Sequence, residues 1–364
     1  MKRSAWCVVV SGLVLMMGFF LAGMGTAAAG DTMMVTDMGG RTVTVPADPK
    51  GVIAIGPGAL RLICYLDAKE RIVGIESFEK VRGQGRPYWM ASPELRDLPV
   101  IGPGGPQHIN KAPDLEAVLK AKPDLIFATY MKPGTAEALQ KKIGIPVVIL
   151  TYGPFPAFNE KLYASLRLAG AVLGKTDRAK AVIAYIEGAR QDLNKRTEGI
   201  DAATRPTVYI GGIGFRGLQG IESTDPAYIP LEWVRGNNIA AGMTQESHLF
   251  IDREKLLMWN PDVIFVDGGG YGLVKQDFEK RPEFYQGLKA FQNGRVYVLL
   301  PYIYYVANVG TAIADAYAAG KALYPDCFED VDPPKKADEI YTFLVGAPVY
   351  KEMARDFGEL LAPF

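Results

Sequence analysis

The sequence predicts an α/β fold of two similar lobes with mainly parallel sheets, joined by one long helix. Short apolar runs alternate with helical segments in both halves of the 364-residue chain, as in a parallel sheet covered by helices. A 14-residue pattern in the first half recurs in the second half. Between the halves lies a helical stretch of about 20 residues whose only helix breaker is one glycine. These observations divide the chain into lobes at 30–175 and 199–364, with the connecting helix at 176–198.

The first 29 residues differ in composition from the rest of the chain. Lys2 and Arg3 precede an uncharged apolar run at 5–24, and small residues follow at 26–29. This order is typical of a secretory signal peptide with an A-x-A cleavage site. The alternative is an uncleaved membrane anchor, because the run approaches the length that spans a bilayer. We expect cleavage and a periplasmic protein that begins near Gly30.

Charge and cysteine content narrow the class of protein. The chain carries 40 basic and 40 acidic residues, and loss of Lys2 and Arg3 leaves it close to neutral. No nucleic-acid or anionic-membrane partner is therefore expected. Of the cysteines that remain, Cys64 lies in an apolar stretch typical of a buried free thiol, while pairing with Cys327 is the alternative in an oxidising compartment.

The first lobe opens with two β-branched runs around Met38, which predict a hairpin at 35–46. Strand 51–56, helix 59–68 and strand 71–75 then form a βαβ unit, and the alternation continues to residue 150. A helix is expected at 157–173. Thr176 is the expected N-cap of the connecting helix, with Asp177 in its first turn.

The internal repeat aligns DLEAVLKAKPDLIF at 114–127 with DREKLLMWNPDVIF at 252–265 without a gap. Most of the shared residues have structural explanations, because Pro-Asp ends a helix before a buried strand. Glu116 and Glu254 are the shared residues that this structural explanation does not cover. Each lies in the first turn of its helix, where a carboxylate also complements the helix dipole.

The stretch VYIGGIGFRGLQG at 208–220 contains the glycine spacing of a dinucleotide-binding turn. Such a turn must open a helix and be followed by an acid at the next strand end, whereas two prolines and a Ser-Thr-Asp cluster follow here. We expect these glycines to allow close backbone approach instead. Catalytic motifs such as G-x-S-x-G and H-E-x-x-H are also missing, so no enzyme activity and no cofactor are expected.

Several segments together resemble landmarks of the class III periplasmic solute-binding proteins of ABC importers for ferric siderophores, haem and cobalamin. They are VTDMGGRTVTVPADPKGVIAI, LGKTDRAKAVIAYI, RGNNIA and the two repeat segments. The resemblance covers nearly the whole mature chain. It implies a ligand cleft between two lobes, a single rigid connecting helix, and one exposed glutamate per lobe that docks into a transmembrane permease dimer. The matching glutamates are Glu116 and Glu254.

Ligand residues in such folds come from loops at strand ends, and the best candidate loops here are 77–89, 102–110, 214–220, 245–250, 267–272 and 301–305. His108 and His248 lie in loops just before the two repeat helices, which suggests that they face each other across the cleft and, in one alternative, bind a metal. Arginines would suit an anionic ligand, and tyrosines offer flat amphipathic surface for a chelate. These further candidates are Arg82, Arg86, Arg216, Tyr271, Tyr302, Tyr304 and Tyr305.

The sequence and the resemblance together predict a monomeric binding protein that captures a metal chelate, most simply a ferric siderophore, and delivers it to the permease. Binding of a molybdate or tungstate oxyanion, or of a bare metal ion, is the alternative on the same fold. A secreted enzyme built around one of the two histidines is the remote alternative. Residues 325–364 extend past the last repeat strand and are assigned to the second lobe.

Overall fold

The computed structural model describes residues 31–81, 84–153, 158–214, 217–244, 246 and 248–364. The predicted signal peptide lies outside these residues. Within them, no helix combines the length and apolar character needed to cross a membrane.

In the described ranges, twelve strands form two four-stranded parallel sheets and two short antiparallel pairs. In chain order the strands are β1 (Thr32–Thr36), β2 (Thr42–Pro46), β3 (Val52–Ile55), β4 (Ile72–Gly74), β5 (Leu125–Thr129), β6 (Val147–Leu150), β7 (Thr207–Gly211), β8 (Ser223–Thr224), β9 (Asn237–Asn238), β10 (Leu249–Phe250), β11 (Val263–Asp267) and β12 (Val296–Leu299).

The α-helices pack around these sheets. They are α1 (Ala59–Tyr65), α2 (Ser77–Val81), α3 (Pro87–Met90), α4 (Leu115–Ala121), α5 (Pro133–Ile143), α6 (Glu160–Val172), α7 (Thr176–Thr197), α8 (Ile229–Trp233), α9 (Arg253–Trp259), α10 (Tyr271–Lys280), α11 (Pro282–Gln286), α12 (Lys289–Gln292), α13 (Val309–Leu323), α14 (Pro333–Val345) and α15 (Tyr350–Phe357).

Each lobe is built on one parallel sheet, as the sequence predicts. The N-terminal sheet has the order β4-β3-β5-β6 and the C-terminal sheet has the order β12-β11-β7-β9. The predicted hairpin is the antiparallel pair β1 and β2. Because both sheets are parallel, the loops at their carboxyl ends gather at one edge of each lobe, where ligand sites of such sheets form.

The internal repeat is a structural repeat. Helix α4 and strand β5 have the same lengths as α9 and β11, and each pair of elements is offset by the same 138 positions as the sequence pattern. Asp114 and Asp252 cap the two helices through their side chains. The repeated Asp124 and Asp262 accept hydrogen bonds from the backbone where the neighbouring strand begins, at Gly51 just before β3 and at Thr207, the first residue of β7. The repeat therefore preserves a complete helix–strand unit.

Helix α7 connects the lobes, as predicted, and its 22 residues span about 33 Å. Its buried side chains include Ala179, Val182 and Ile186, which follow a helical spacing. The prediction of Thr176 as N-cap is wrong. The helix begins at Thr176 and the cap residue is Lys175, which makes no side-chain cap bond.

The largest apolar cluster is shared by both lobes. It includes Phe127 of β5 and the repeat-equivalent Phe265 of β11, together with residues of α7, α13 and α14. Each lobe also has a smaller cluster on the opposite face of its sheet. Helix α14 packs against α13 and also contacts α1 and α3 of the N-terminal lobe. The segment after residue 325 therefore braces both lobes.

The glycine-rich turn after β7 leads into the short strand β8, and the next helix, α8, begins only at Ile229. A Cβ atom on Gly270 would lie 2.3 Å from the Gly212 carbonyl oxygen, so these two loops need glycine for close approach. This is the packing role predicted in place of a dinucleotide site. Cys64 and Cys327 are both free thiols.

Candidate functional site

The carboxyl ends of β3, β4 and β5 border a small recess in the N-terminal lobe. Its volume is about 20 Å³, which is room for about one water molecule. Two glycine-containing segments supply backbone to its walls, around Gly56 and Gly102. The polar side chains that line it are Glu76, Asn110, Thr129, His108 and Lys111.

Glu76 follows β4 after one residue and is 8% exposed. Its two carboxylate oxygens accept hydrogen bonds from the Gly56 amide at 3.1 Å and from the Tyr305 hydroxyl at 2.8 Å. Burial raises the pKa of Glu76 to about 7, and these two bonds partly oppose the shift. A small change of pH near neutrality therefore changes the fraction of Glu76 that is charged.

His108 ends a short 3-10 turn over Pro106–His108, and both it and Lys111 are exposed at the recess. The Asn110 side-chain oxygen accepts from the Lys132 amide at 2.8 Å, and the Thr129 hydroxyl donates to the Pro57 carbonyl at 2.8 Å. His108 and Lys111 are thus the exposed nitrogen-bearing side chains that can donate hydrogen bonds to a ligand at this edge.

His248 lies on the C-terminal lobe, next to the ribbon formed by β8 and β10. Its Nε2 atom is 2.7 Å from the Ser223 hydroxyl, and that hydroxyl donates its only proton to the Ile213 carbonyl. His248 Nε2 is therefore the donor of the pair. Burial lowers the pKa of His248, which favours the neutral ring. The expectation that the two histidines face each other remains a prediction.

Acidic residues mark the carboxyl edge of the C-terminal sheet. Asp267 ends β11, is 4% exposed and accepts from the Gly269 amide at 2.8 Å. Burial raises its pKa to about 7, and the same holds for Asp225, after β8. Among the residues that the structure describes, no group of three or more His, Cys, Asp or Glu side chains is arranged to hold a metal ion.

The segment 303–307, which we term the crossing loop, carries residues of the C-terminal lobe to the recess. The Tyr305 hydroxyl accepts from the Gly105 amide at 2.9 Å while it donates to Glu76. Arg61 of α1, which is fully buried, donates to the carbonyl oxygens of Tyr304, Tyr305 and Ala307. The crossing loop therefore contacts the N-terminal lobe through directional bonds.

Of the three arginines predicted to hold an anion, Arg86 lies in the part of the chain that the structure describes. Arg86 is fully buried, forms an ion pair with Glu79, and shares that carboxylate with the Tyr88 hydroxyl. In this arrangement its guanidinium stabilises the N-terminal lobe and is closed to a ligand. Arg82 and Arg216 lie outside the described residues.

The predicted tyrosines take part in packing. Tyr302 is fully buried and meets Tyr228 edge to face at 5.3 Å between ring centroids. Tyr304 packs against Phe357 at 6.2 Å, and Tyr271 against Phe364 at 5.5 Å. Each of these three rings thus has an aromatic protein partner in the structure.

Glu116 and Glu254 are both exposed in the first turns of their helices. Their positions in the repeat unit are equivalent, one on each lobe. The structure therefore places an accessible carboxylate at the equivalent position of each lobe, and the role of the two residues in docking remains a prediction.

Three residues of the site were missed by the sequence analysis. Glu76 directly precedes the candidate loop 77–89, and Lys111 directly follows the candidate loop 102–110. The rule that ligand residues follow parallel strands would have included both if the loops had been drawn one residue wider. Arg61 lies within a helix of apolar pattern, and no local signal marks its contacts with residues more than 240 positions away.

Comparison with known proteins supports the fold and the class. The sequence profile of the periplasmic binding protein family matches residues 86–302. The molybdate-binding protein MolA of Haemophilus influenzae is 25% identical over 346 residues, which cover 90% of this chain and 94% of that protein. The structure of MolA bound to molybdate aligns with a TM-score of 0.68 and 23% identity over 87% of this chain and 98% of that one.

Two proteins of Veillonella parvula have similar structures. A periplasmic solute-binding protein aligns with a TM-score of 0.70 and 20% identity, over 90% of this chain and 97% of that one. The TroA-like periplasmic binding protein FepB aligns with a TM-score of 0.65 and 22% identity, over 86% and 97% of the two chains. Together with the two repeated lobes, the profile match shows that this chain belongs to the periplasmic binding protein family, the class that its sequence landmarks resemble.

Proposed function

We propose that this protein captures a compact oxyanion of the molybdate or tungstate class in the periplasm and delivers it to the permease of an ABC importer. The observation that carries the proposal is the recess beside His108 and Lys111, which is small and polar. From the sequence we expect a ferric chelate first and an oxyanion as the alternative. We now propose the oxyanion in place of the chelate.

The size of the recess argues against a bulky chelate. Its volume of about 20 Å³ is far below the several hundred Å³ of typical small-molecule pockets. The tyrosines that would offer a flat surface to a chelate are engaged with protein partners. A tetrahedral oxyanion is larger than one water and would sit at the mouth of the recess, between its exposed side chains.

The donors at the mouth suit an anion. Lys111 supplies a positive charge and His108 an N–H donor, and such charge-assisted bonds are stronger than neutral ones. The opposing feature is Glu76, whose negative charge would repel the ligand. Because burial raises the pKa of Glu76 to about 7, proton uptake removes this repulsion at little cost near neutral pH.

The name of the relative in Haemophilus influenzae supports the same ligand class, since that protein is described as molybdate-binding. Delivery would use Glu116 and Glu254, one on each lobe, as two anionic contacts for a permease dimer. We further propose that residues 1–29 are a cleaved signal peptide and that the mature protein acts as a monomer.

Native mass spectrometry of the mature protein with separate candidate ligands tests the proposal. Molybdate, tungstate, ferric siderophores, haem, cobalamin, Mn²⁺ and Zn²⁺ would be offered in turn. We expect one oxyanion per chain, and binding weakened by more than tenfold in the double variant His108→Ala, Lys111→Ala. Lys120→Ala, which removes an exposed lysine of α4, is the matched control. A mass increase equal to an intact ferric chelate would overturn the oxyanion and restore the first interpretation.

A further inference from the structure

The crossing loop has a strained backbone. Tyr305 has a φ of 53° and Val306 a φ of 67°, which places two consecutive non-glycine residues in the left-handed region. This conformation is unfavourable for side chains with a Cβ atom, and most of all for a β-branched valine. Such strain persists only where the surrounding contacts over-determine it, and it is concentrated at functional sites.

Asn308 holds the loop from within its own lobe through the Tyr302 and Tyr304 carbonyls, and further contacts come from the other lobe. Arg61 donates to Ala307 at 2.8 Å, to Tyr304 at 3.0 Å and to Tyr305 at 3.1 Å, in each case to the backbone carbonyl. Asn308, just after the loop, donates through its side-chain amide to the Gly85 carbonyl at 3.2 Å. The conformation of the crossing loop therefore depends on the N-terminal lobe.

This conformation places the Tyr305 hydroxyl between two walls of the recess. It joins the Glu76 carboxylate, at the end of β4, to the Gly105 amide, in the glycine-rich segment that follows Gly102. The Tyr305 ring packs against Phe78 with centroids 4.5 Å apart. One side chain from the C-terminal lobe thus adds a bond to each of two N-terminal elements that the Ser77 and Phe78 amides already join through the Gly102 and Pro103 carbonyls.

We propose that Tyr305 is the positioning residue of the recess: it fixes Glu76 and the Gly104–Gly105 backbone from the opposite lobe, so that ligand affinity depends on the arrangement of the lobes. This inference rests on the proposed function. It adds that ligand affinity depends on the contact between the crossing loop and the N-terminal lobe. When the C-terminal lobe moves away, Glu76 loses one of its two donors and the Gly105 amide loses its bond to Tyr305, while the bonds from Ser77 and Phe78 remain.

The electrostatic consequence has a defined sign. The Tyr305 hydroxyl stabilises the ionised form of Glu76 and so opposes the rise in its pKa. Without that hydroxyl, Glu76 takes up a proton at higher pH. Since the neutral carboxyl favours a bound anion, affinity in the wild type should rise as pH falls through about 7. The other charged or titratable groups near Glu76 are Glu79, Arg86, His108 and Lys111.

Tyr305→Phe tests the proposal, because it keeps the ring and removes only the hydroxyl. Molybdate affinity would be measured by calorimetry from pH 5.5 to 8.5 in the wild type, in this variant and in Glu76→Gln. At pH 5.5, where Glu76 is neutral in both proteins, we expect about a fivefold loss of affinity in Tyr305→Phe, the usual effect of losing one hydrogen bond. The midpoint of its pH profile should move upward, and the affinity of Glu76→Gln should change less with pH than that of the wild type.

Tyr304→Phe is the matched control, since it makes the same change one residue earlier in the same loop, where the ring packs against Phe357. Equal losses in both variants, or an unmoved pH midpoint in Tyr305→Phe, would overturn the positioning role. The Glu76 pKa would also be measured by NMR without ligand. A higher pKa in Tyr305→Phe supports the positioning role even if molybdate does not bind, and an equal pKa contradicts it.

Discussion

Arg86 and Glu76 lie ten residues apart in the sequence, and both are almost fully removed from solvent. Their surroundings differ in charge. Arg86 is neutralised by Glu79, whereas the carboxylate of Glu76 is held by an amide and a hydroxyl, without an ion pair in the described structure. The same degree of burial therefore produces a permanent ion pair in one case and a group that titrates near pH 7 in the other.

Arg86→Met is predicted to lower the free energy of unfolding by about 3 kcal/mol or more, because it leaves the Glu79 carboxylate buried without its partner. Urea denaturation of the unliganded protein measures this change. The double variant Arg86→Met, Glu79→Gln should recover part of the loss. If Arg86→Met instead weakens molybdate binding and leaves unfolding unchanged, Arg86 has the ligand role that the sequence analysis gave it.

At the scale of single elements, the repeat explains how a seven-residue helix is kept in place. Helices α4 and α9 are short, and each is capped at its N-terminus by an aspartate that accepts backbone N–H groups. At the other end, Lys122 and Asn260 adopt the left-handed conformation that ends a helix. The exposed glutamates are therefore carried on helices whose two ends are both fixed.

Asp252→Ala should lower the free energy of unfolding by about 1 kcal/mol, the usual effect of losing a side-chain cap. Asp252→Asn should be close to wild type, because an amide oxygen can accept the same bond from the Lys255 amide. Thermal and chemical denaturation of the three proteins would provide the comparison. A loss of the same size in Asp252→Asn would show that charge, rather than the cap bond, stabilises this helix.

Local patterns in the sequence were sufficient for the two parallel sheets, the opening hairpin and the connecting helix. Alternation of apolar runs predicted both parallel sheets, and the gapless repeat predicted equal units on both lobes. The sequence did not predict the contact between Tyr305 and Glu76 at the recess. These two residues are 229 positions apart, and no periodicity links residues at such a separation. Tyr305 was selected as an aromatic surface, whereas the structure gives its hydroxyl two partners and its backbone a strained conformation.

On the scale of the whole molecule, the lobes are connected by more than the covalent helix. The shared apolar cluster, helix α14 and the crossing loop all join them. Arg178 of α7 adds bonds to the Tyr65 carbonyl of α1 and the Phe343 carbonyl of α14. Changes in the relative position of the lobes must therefore be small unless these contacts break, which keeps Glu116 and Glu254 at a nearly constant separation.

A partner that recognises both lobes together should need both carboxylates. The double variant Glu116→Ala, Glu254→Ala is predicted to abolish ligand uptake by cells while molybdate affinity stays unchanged, since both residues are exposed on helices outside the recess wall. Glu283→Ala, an exposed glutamate in the first turn of α11, is the matched control. Reduced affinity in the double variant would contradict a role limited to docking.

The last residues of the chain complete the C-terminal sheet. Leu361 and Phe364 donate backbone hydrogen bonds to Val298 and Val296 of the edge strand β12, and Pro363 bridges to Tyr297 in the antiparallel sense. All four strands of the N-terminal sheet, in contrast, lie before residue 151. During synthesis, the first lobe can acquire its sheet while the second is still emerging, and the edge of β12 stays uncovered until residues 361–364 follow. A variant cut before residue 361 would therefore have one finished sheet and one open edge that can pair with other chains.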